Sequence, residues 1–170
     1  MEGVSCMREI TCCFTGHRPD KLPWGDREQD PRCVALKRRL AVALRQTYAR
    51  GYRHFICGMA QGGDLYFAEA VLALRARQPD LTLEAALPCV SQADAWPKWL
   101  QDRYRAILRQ CDAETLIQEQ YTPGCMHRRD QYMIQRSSLL IALYAGTPGG
   151  TAFTIREGLN AGLEILQIQP

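Results

Sequence analysis

Two segments of this 170-residue chain have the residue types and spacing of an anion-binding loop. Phe55-Ile56-Cys57-Gly58-Met59-Ala60-Gln61-Gly62-Gly63-Asp64 is one, and Leu140-Ile141-Ala142-Leu143-Tyr144-Ala145-Gly146-Thr147-Pro148-Gly149-Gly150-Thr151 is the other. Each runs from a short apolar stretch through glycines into an amphipathic helical pattern. Glycine lets backbone N–H groups approach a ligand closely, and the helix N-terminus behind them carries partial positive charge suited to phosphate. Two such junctions in one small α/β domain point to a nucleotide-type pocket.

Gly58 to Gly63 has the G-x-x-x-x-G spacing of a phosphate loop, but that motif continues with Lys and then Ser or Thr. Here Asp64 and Leu65 follow, which excludes a kinase or ATPase of that class. The spacing also fails G-x-G-x-x-G, the dinucleotide fingerprint. Asp64 can cap the following helix, or its carboxylate can accept hydrogen bonds from ribose hydroxyls; the two roles are compatible. In the second loop Gly149 and Gly150 open a helix, and Thr151 can cap it or donate its hydroxyl to a phosphate. Thr154, one turn on, could do the same. Arg18, just past the first strand, and Arg128 or Arg129 supply cations with the fork geometry that suits phosphate or carboxylate. His17 is a loop histidine with either a structural or an acid–base role, and Trp24 either pins its loop to the core or covers the pocket.

The elements that must position these residues alternate. Strands are predicted over 10–15, 54–57, 81–87, 113–117, 139–144 and 165–168. Helices are predicted over 32–50, 64–77, 91–110, 123–136 and 151–161, with Val34, Leu36, Leu40, Ala43 and Leu44 as the first apolar stripe and Trp96, Trp99, Leu100, Tyr104, Ile107 and Leu108 as core positions of the third. Residues 17–31 form a long loop rich in turn formers, and Gly51 stops the first helix. Alternation of this kind predicts an α/β fold: a single Rossmann-like three-layer domain with a mostly parallel sheet and helices on both faces. Right-handed crossovers would bring the loops at Gly16, Gly58, Pro88 and Gly146 to one edge of that sheet. Residues 1–170 read as one domain, with 1–8 a loose N-terminal extension.

Composition narrows the classes. Hydrophobic residues make up 46% and charged residues 23%, as in ordinary globular domains. No apolar run approaches a membrane span and the N-terminus lacks a signal-peptide core, so a cytoplasmic protein without a membrane partner is expected. The eight cysteines include no C-x-x-C pair, and Cys125-Met126-His127 alone is no metal half-site, so reduced thiols and no metal are expected. Cys12, Cys13 and Cys57 fall in strands as small hydrophobes. The net charge of +3 argues against a nucleic-acid partner. No cofactor is expected.

Thr15-Gly16-His17-Arg18-Pro19, Gly58-Met59-Ala60 with Gly63-Asp64, Leu87-Pro88, Arg129-Asp130-Gln131-Tyr132-Met133 and Gly149-Gly150-Thr151 occur in the order seen in YpsA-like proteins. The chain resembles that family from about Ile10 to Pro170. YpsA-like proteins belong to the SLOG superfamily, with the DNA-processing protein DprA and the LOG nucleotide phosphoribohydrolases. The resemblance implies strand-end loops that bind a nucleotide-derived ligand related to ADP-ribose. It makes Thr15, Gly16, His17, Arg18, Gly58, Met59, Ala60, Gly62, Gly63, Asp64, Pro88, Arg129, Gly146, Gly149, Gly150 and Thr151 the expected ligand-binding set. LOG enzymes carry P-G-G-x-G-T-x-x-E, whose glutamate serves N-glycosidic cleavage; here Arg156 stands at that position and Glu157 is one residue further, rotated by about 100° on a helix. Two readings stay open: a binding or sensor protein for a nucleotide-like small molecule, and an N-glycosidase with Asp64, Glu69 or Glu157 as acid–base candidates. A DprA-like single-stranded DNA binder ranks behind both. Self-association is implied by the pairing of LOG relatives, and a protein partner is compatible with the sensor reading.

Overall fold

A computed structural model describes residues 7–170. Of the expected loose extension over 1–8, residues 1–6 lie outside the described residues. Residues 7–9 are helical, and Arg8 holds this turn to the body by donating from Nε to Ser137 O at 3.0 Å and from Nη2 to Ala161 O at 3.2 Å.

Among the described residues six strands form one sheet in the order β4-β3-β2-β1-β5-β6: β1 Thr11–Gly16, β2 His54–Cys57, β3 Thr82–Leu87, β4 Ala113–Leu116, β5 Leu139–Leu143 and β6 Glu164–Ile168. Every neighbouring pair is parallel. The helices between them are α1 Pro31–Ala49, α2 Gly63–Arg75, α3 Lys98–Leu108, α4 Cys125–Arg136 and α5 Gly150–Asn160. A short 3₁₀ turn, Pro19–Lys21, follows β1.

Two apolar clusters show how the layers are made. Cys12, Phe14, Phe55, Cys57, Leu83 and Ile141 face α1, α2 and α3, while Cys13, Ile56, Ala86 and Leu140 face α4 through Met133 and Ile134. Alternate strand residues point to opposite faces, so adjacent Cys12 and Cys13 serve different cores. The architecture is the expected Rossmann-like three-layer α/β fold. Chain order runs from β1 outward to β4, then returns to place β5 on the other side of β1. The crevice between the ends of β1 and β5 is therefore the topological switch point, where open parallel sheets bind ligands.

Local sequence explains the boundaries. Asp30 caps α1 by accepting from Arg32 N at 2.9 Å, Pro31 occupies its first turn, and Gly51 at φ +102° follows its end. The helix expected over 91–110 is shorter. Residues 91–97 are turns and α3 begins after Pro97, because the residue before a proline is driven out of the helical region. Trp96 still packs edge-on against Tyr104, at 5.3 Å between ring centroids. Trp99 does not join the core: it is 55% exposed on the outer face of α3. Val34 is likewise exposed, whereas Trp24 is 1% exposed and pins the 17–31 segment to the α1–α2 core. Among the described residues no helix is long and apolar enough to cross a membrane.

Candidate functional site

At the switch point lies a cleft of about 280 Å³, just below the usual ligand-pocket range of roughly 300–1,000 Å³. One wall is the end of β1 and its 3₁₀ turn: Thr15, Gly16, His17, Arg18, Asp20 and Lys21. Ala60 and Asp64 come from the β2–α2 junction, Met126, His127, Arg129, Asp130 and Met133 from α4, and Gly150 and Thr151 from α5. The wall closes because Gly16 and Gly63 touch backbone to backbone. A Cβ on Gly63 would lie 3.2 Å from the Gly16 Cα and 3.0 Å from Leu143 Cδ2. Gly63 N donates to His17 O at 3.0 Å across this contact.

The β2–α2 loop is largely buried and several of its backbone polar groups are occupied. Ala60 N donates to Asp64 Oδ2 at 3.0 Å, and Met59 N to Cys57 Sγ at 3.4 Å. Gly58 O accepts from Arg129 Nη1 and, at 2.9 Å, from Gln92 Nε2. A side chain at residue 58 would fall on the Arg129 guanidinium. Met59, fully buried, sits at φ +58°, a left-handed conformation that costs a non-glycine residue about 1–2 kcal/mol. Such strain persists where surrounding contacts over-determine it.

Arg129 is the hub. Besides Gly58 O it donates from Nε to Asp130 Oδ1 at 2.7 Å, and the Thr154 hydroxyl lies 2.9 Å from Asp130 Oδ2 and from Gly150 O. Burial opposes the Arg129 charge, but Asp130 and Asp64 more than offset this and raise its pKa. Asp64, 5% exposed, is pushed up to about 6, because burial outweighs the pull of Arg129 and of the Ala60 amide. A carboxyl held near neutrality in a cleft can carry or release a proton under ordinary conditions. His17 is 2% exposed; its Nε2 accepts from Ala145 N at 2.9 Å, which fixes the neutral tautomer with the proton on Nδ1. Burial, then Lys21, lowers its pKa.

The β5–α5 loop is built differently. Residues 145–150 are exposed, and Gly149 at the α5 N-cap, like Gly62 at the α2 N-cap, has no capping side chain among the described residues. The first amides of α5 have no intrahelical acceptor, so they remain available to an anion. Gly149 at φ +143° adopts a backbone that L side chains rarely reach. Lys21 Nζ donates to Pro148 O at 2.7 Å, bringing a cation to this loop from the opposite wall. Among the described residues Arg18 has no carboxylate within 4.0 Å and is exposed at the cleft.

Of the expected set, Thr15, Gly16, His17, Arg18, Ala60, Asp64, Arg129, Gly150 and Thr151 line the cleft. Gly58, Met59, Gly62 and Gly63 stand behind it as support, Gly149 borders its mouth through Lys21, and Pro88 and Gly146 do not line it. Glu69 is held by Arg103 at 2.7 Å outside the cleft, and Glu157 is half-buried on α5, with Arg156 at 3.9 Å. Arg128 binds Gln118 and Thr122 on the surface, so Arg129 is the basic residue of the pair that enters the site. Thr154 is fully buried, its hydroxyl engaged with Asp130 and Gly150. Sequence reasoning missed Lys21 and the structural weight of Asp130. The signals were a lysine one 3₁₀ turn after Arg18 and an acid directly after a buried arginine. Among the described residues no three His, Cys, Asp or Glu side chains gather as a metal site.

Known proteins extend this picture. The model of the YpsA family, described as the YspA SLOG family, matches residues 12–161. A UPF0398 protein of Bacillus velezensis is 28% identical over 133 residues, covering 76% of this chain and 72% of that protein. A UPF0398 protein of Bacillus thuringiensis is 26% identical over 152 residues, covering 87% and 82% respectively. Among solved structures, DNA processing protein A (DprA) from Streptococcus pneumoniae superposes with a TM-score of 0.62 at 13% identity, a likeness of fold alone. It covers 95% of this chain, which spans half the length of that protein. With the family match running from β1 through α5, the chain belongs to the YpsA family of SLOG proteins.

Proposed function

We propose that this chain is a cytoplasmic binding or sensor protein for a nucleotide-derived anion of the ADP-ribose kind, held at the β1/β5 switch point. The observation that carries the reading is the convergence of three positive features on one cleft. The uncapped N-terminus of α5 supplies amides, Arg18 supplies a guanidinium without a carboxylate partner among the described residues, and Lys21 crosses to the loop at Pro148. Fixed amides and a planar guanidinium together recognise a phosphate by geometry as well as charge.

Calorimetric titration with ADP-ribose, NAD and AMP tests this. Saturable binding by the wild type, weakened about tenfold or more in Arg18→Ala, is the expected result; absence of binding across the panel contradicts it. One observation favours a second reading, N-glycosidic cleavage: Asp64, pushed up to about 6, could exchange a proton with a leaving group or water. Release of free base or ribose phosphate from a bound nucleotide, abolished in Asp64→Asn, would establish that reading; a ligand recovered intact would establish the sensor.

A further inference from the structure

The anion loop is tethered to the β1 side by two side chains, Lys21 at Pro148 O and His17 at Ala145 N. The His17 contact has a fixed sense. A backbone amide can only donate, so Nε2 must be unprotonated and the ring neutral with its proton on Nδ1. Among the described residues Nδ1 has no hydrogen-bond partner, and no fully buried side-chain nitrogen or oxygen is left unpartnered, so Nδ1 reaches open space. His17 lines the cleft, which is the space available.

We propose that His17 positions the anion loop through Nε2 while presenting Nδ1–H to the ligand, so that the cleft selects an acceptor oxygen at that point and loses affinity when the ring is protonated. This rests on the anion-site reading above. The sign runs against simple electrostatics. A charged imidazolium beside a phosphate should help, but here the second proton would sit against the Ala145 amide, donor against donor, and displace the loop. Other charges bear on the ring. Asp20 and Lys21 act from the 3₁₀ turn beside Arg18, Asp64 shares the cleft from α2, and His127, Arg129 and Asp130 share it from α4. The Tyr144 ring lies 5.5 Å away, tilted, at the end of β5. Of these, Asp64 takes up a proton in the same pH range, and losing its negative charge strengthens anion binding on acidification. The two groups therefore pull the affinity in opposite directions, which makes them separable.

ADP-ribose is a suitable probe because both phosphates of its bridging diphosphate stay ionised from about pH 5 to 8, the range in which histidine titrates. His17→Gln puts an amide oxygen near the Nε2 position, keeping the tether without a titrating ring. His17→Asn puts an amide nitrogen near Nδ1, keeping the donor without the tether. The expected wild-type affinity falls by up to about tenfold for each pH unit below the His17 titration. In His17→Gln that fall is absent and the affinity rises slightly towards low pH; His17→Asn binds weakly at every pH. In the free wild-type protein, the Ala145 amide resonance should move with the His17 ring, which should carry its proton on Nδ1 at neutral pH. Far-UV circular dichroism across the range controls for unfolding. If the wild type binds but its pH profile matches His17→Gln, or its affinity climbs as the ring protonates, the role of His17 is overturned while the anion site stands. If the wild type binds ADP-ribose at no pH, the anion-site reading itself falls and this inference falls with it.

Discussion

The two glycine loops look alike in sequence and are built for opposite ends. The β2–α2 loop is largely buried, with the Met59 and Ala60 amides taken by Cys57 and Asp64 and the Gly58 carbonyl by Arg129 and Gln92. The β5–α5 loop is exposed and fastened by two side chains of the opposite wall. Glycine serves close packing in the first and access in the second. On the function proposed above, a glycine-rich strand–helix junction serves as an anion site where its amides are left free and exposed.

Substitutions should separate the two loops. The largest effect is expected for Arg129→Met, which leaves Asp130 with the Thr154 hydroxyl but no cation, and Gly58 O without its guanidinium donor. Breaking a buried charge pair from one side costs about 3–5 kcal/mol, to be read from urea unfolding. Gly58→Ala drives a methyl into the same guanidinium and should cost about 1–3 kcal/mol. By contrast, Gly150→Asp meets nothing within 4 Å of its Cβ and places a carboxylate at a helix N-terminus, so stability should stay within about 1 kcal/mol while ADP-ribose binding is lost. Equal destabilisation by Gly58→Ala and Gly150→Asp would erase the distinction between the loops.

Asp64 sharpens the contrast by its pH behaviour. Its folded pKa of about 6 lies above the ordinary aspartate value, so the folded state binds the extra proton. Stability should therefore rise as pH falls from above 6 towards 4, by up to about 2–3 kcal/mol. Asp64→Asn keeps an acceptor for Ala60 N and removes this dependence. Glu84 behaves oppositely on the sheet face beneath α4. Burial would raise its pKa, but hydrogen bonds from His54, Tyr132 and Thr115 hold it at about 2. The stability it contributes is present above the unfolded glutamate value and is lost as pH falls through about 4 to 2, an effect that Glu84→Gln should reduce. Thermal melts across this range measure both groups.

Much of the fold was legible because alternation of apolar strands with amphipathic helices is a local signal, and Gly51 stands where the first helix stops. The third helix was overextended because Trp96 and Trp99 both look like core residues; Pro97 between them decides which one packs. The site was legible in outline from Gly16, Asp64 and Gly150, since topology alone brings strand ends together. What could not be seen was the pairing of Arg129 with Gly58 O, of His17 with Ala145 N and of Lys21 with Pro148 O. Each joins residues far apart in sequence, and each determines whether a loop is locked or open.

The most direct test follows backbone amide resonances during an ADP-ribose titration. Shifts concentrated at Gly149, Gly150 and Thr151, with Gly62 and Gly63 unmoved, are the expected result. Shifts centred on Gly62 and Gly63, or none in either loop, would contradict the assignment of the β5–α5 loop as the anion site.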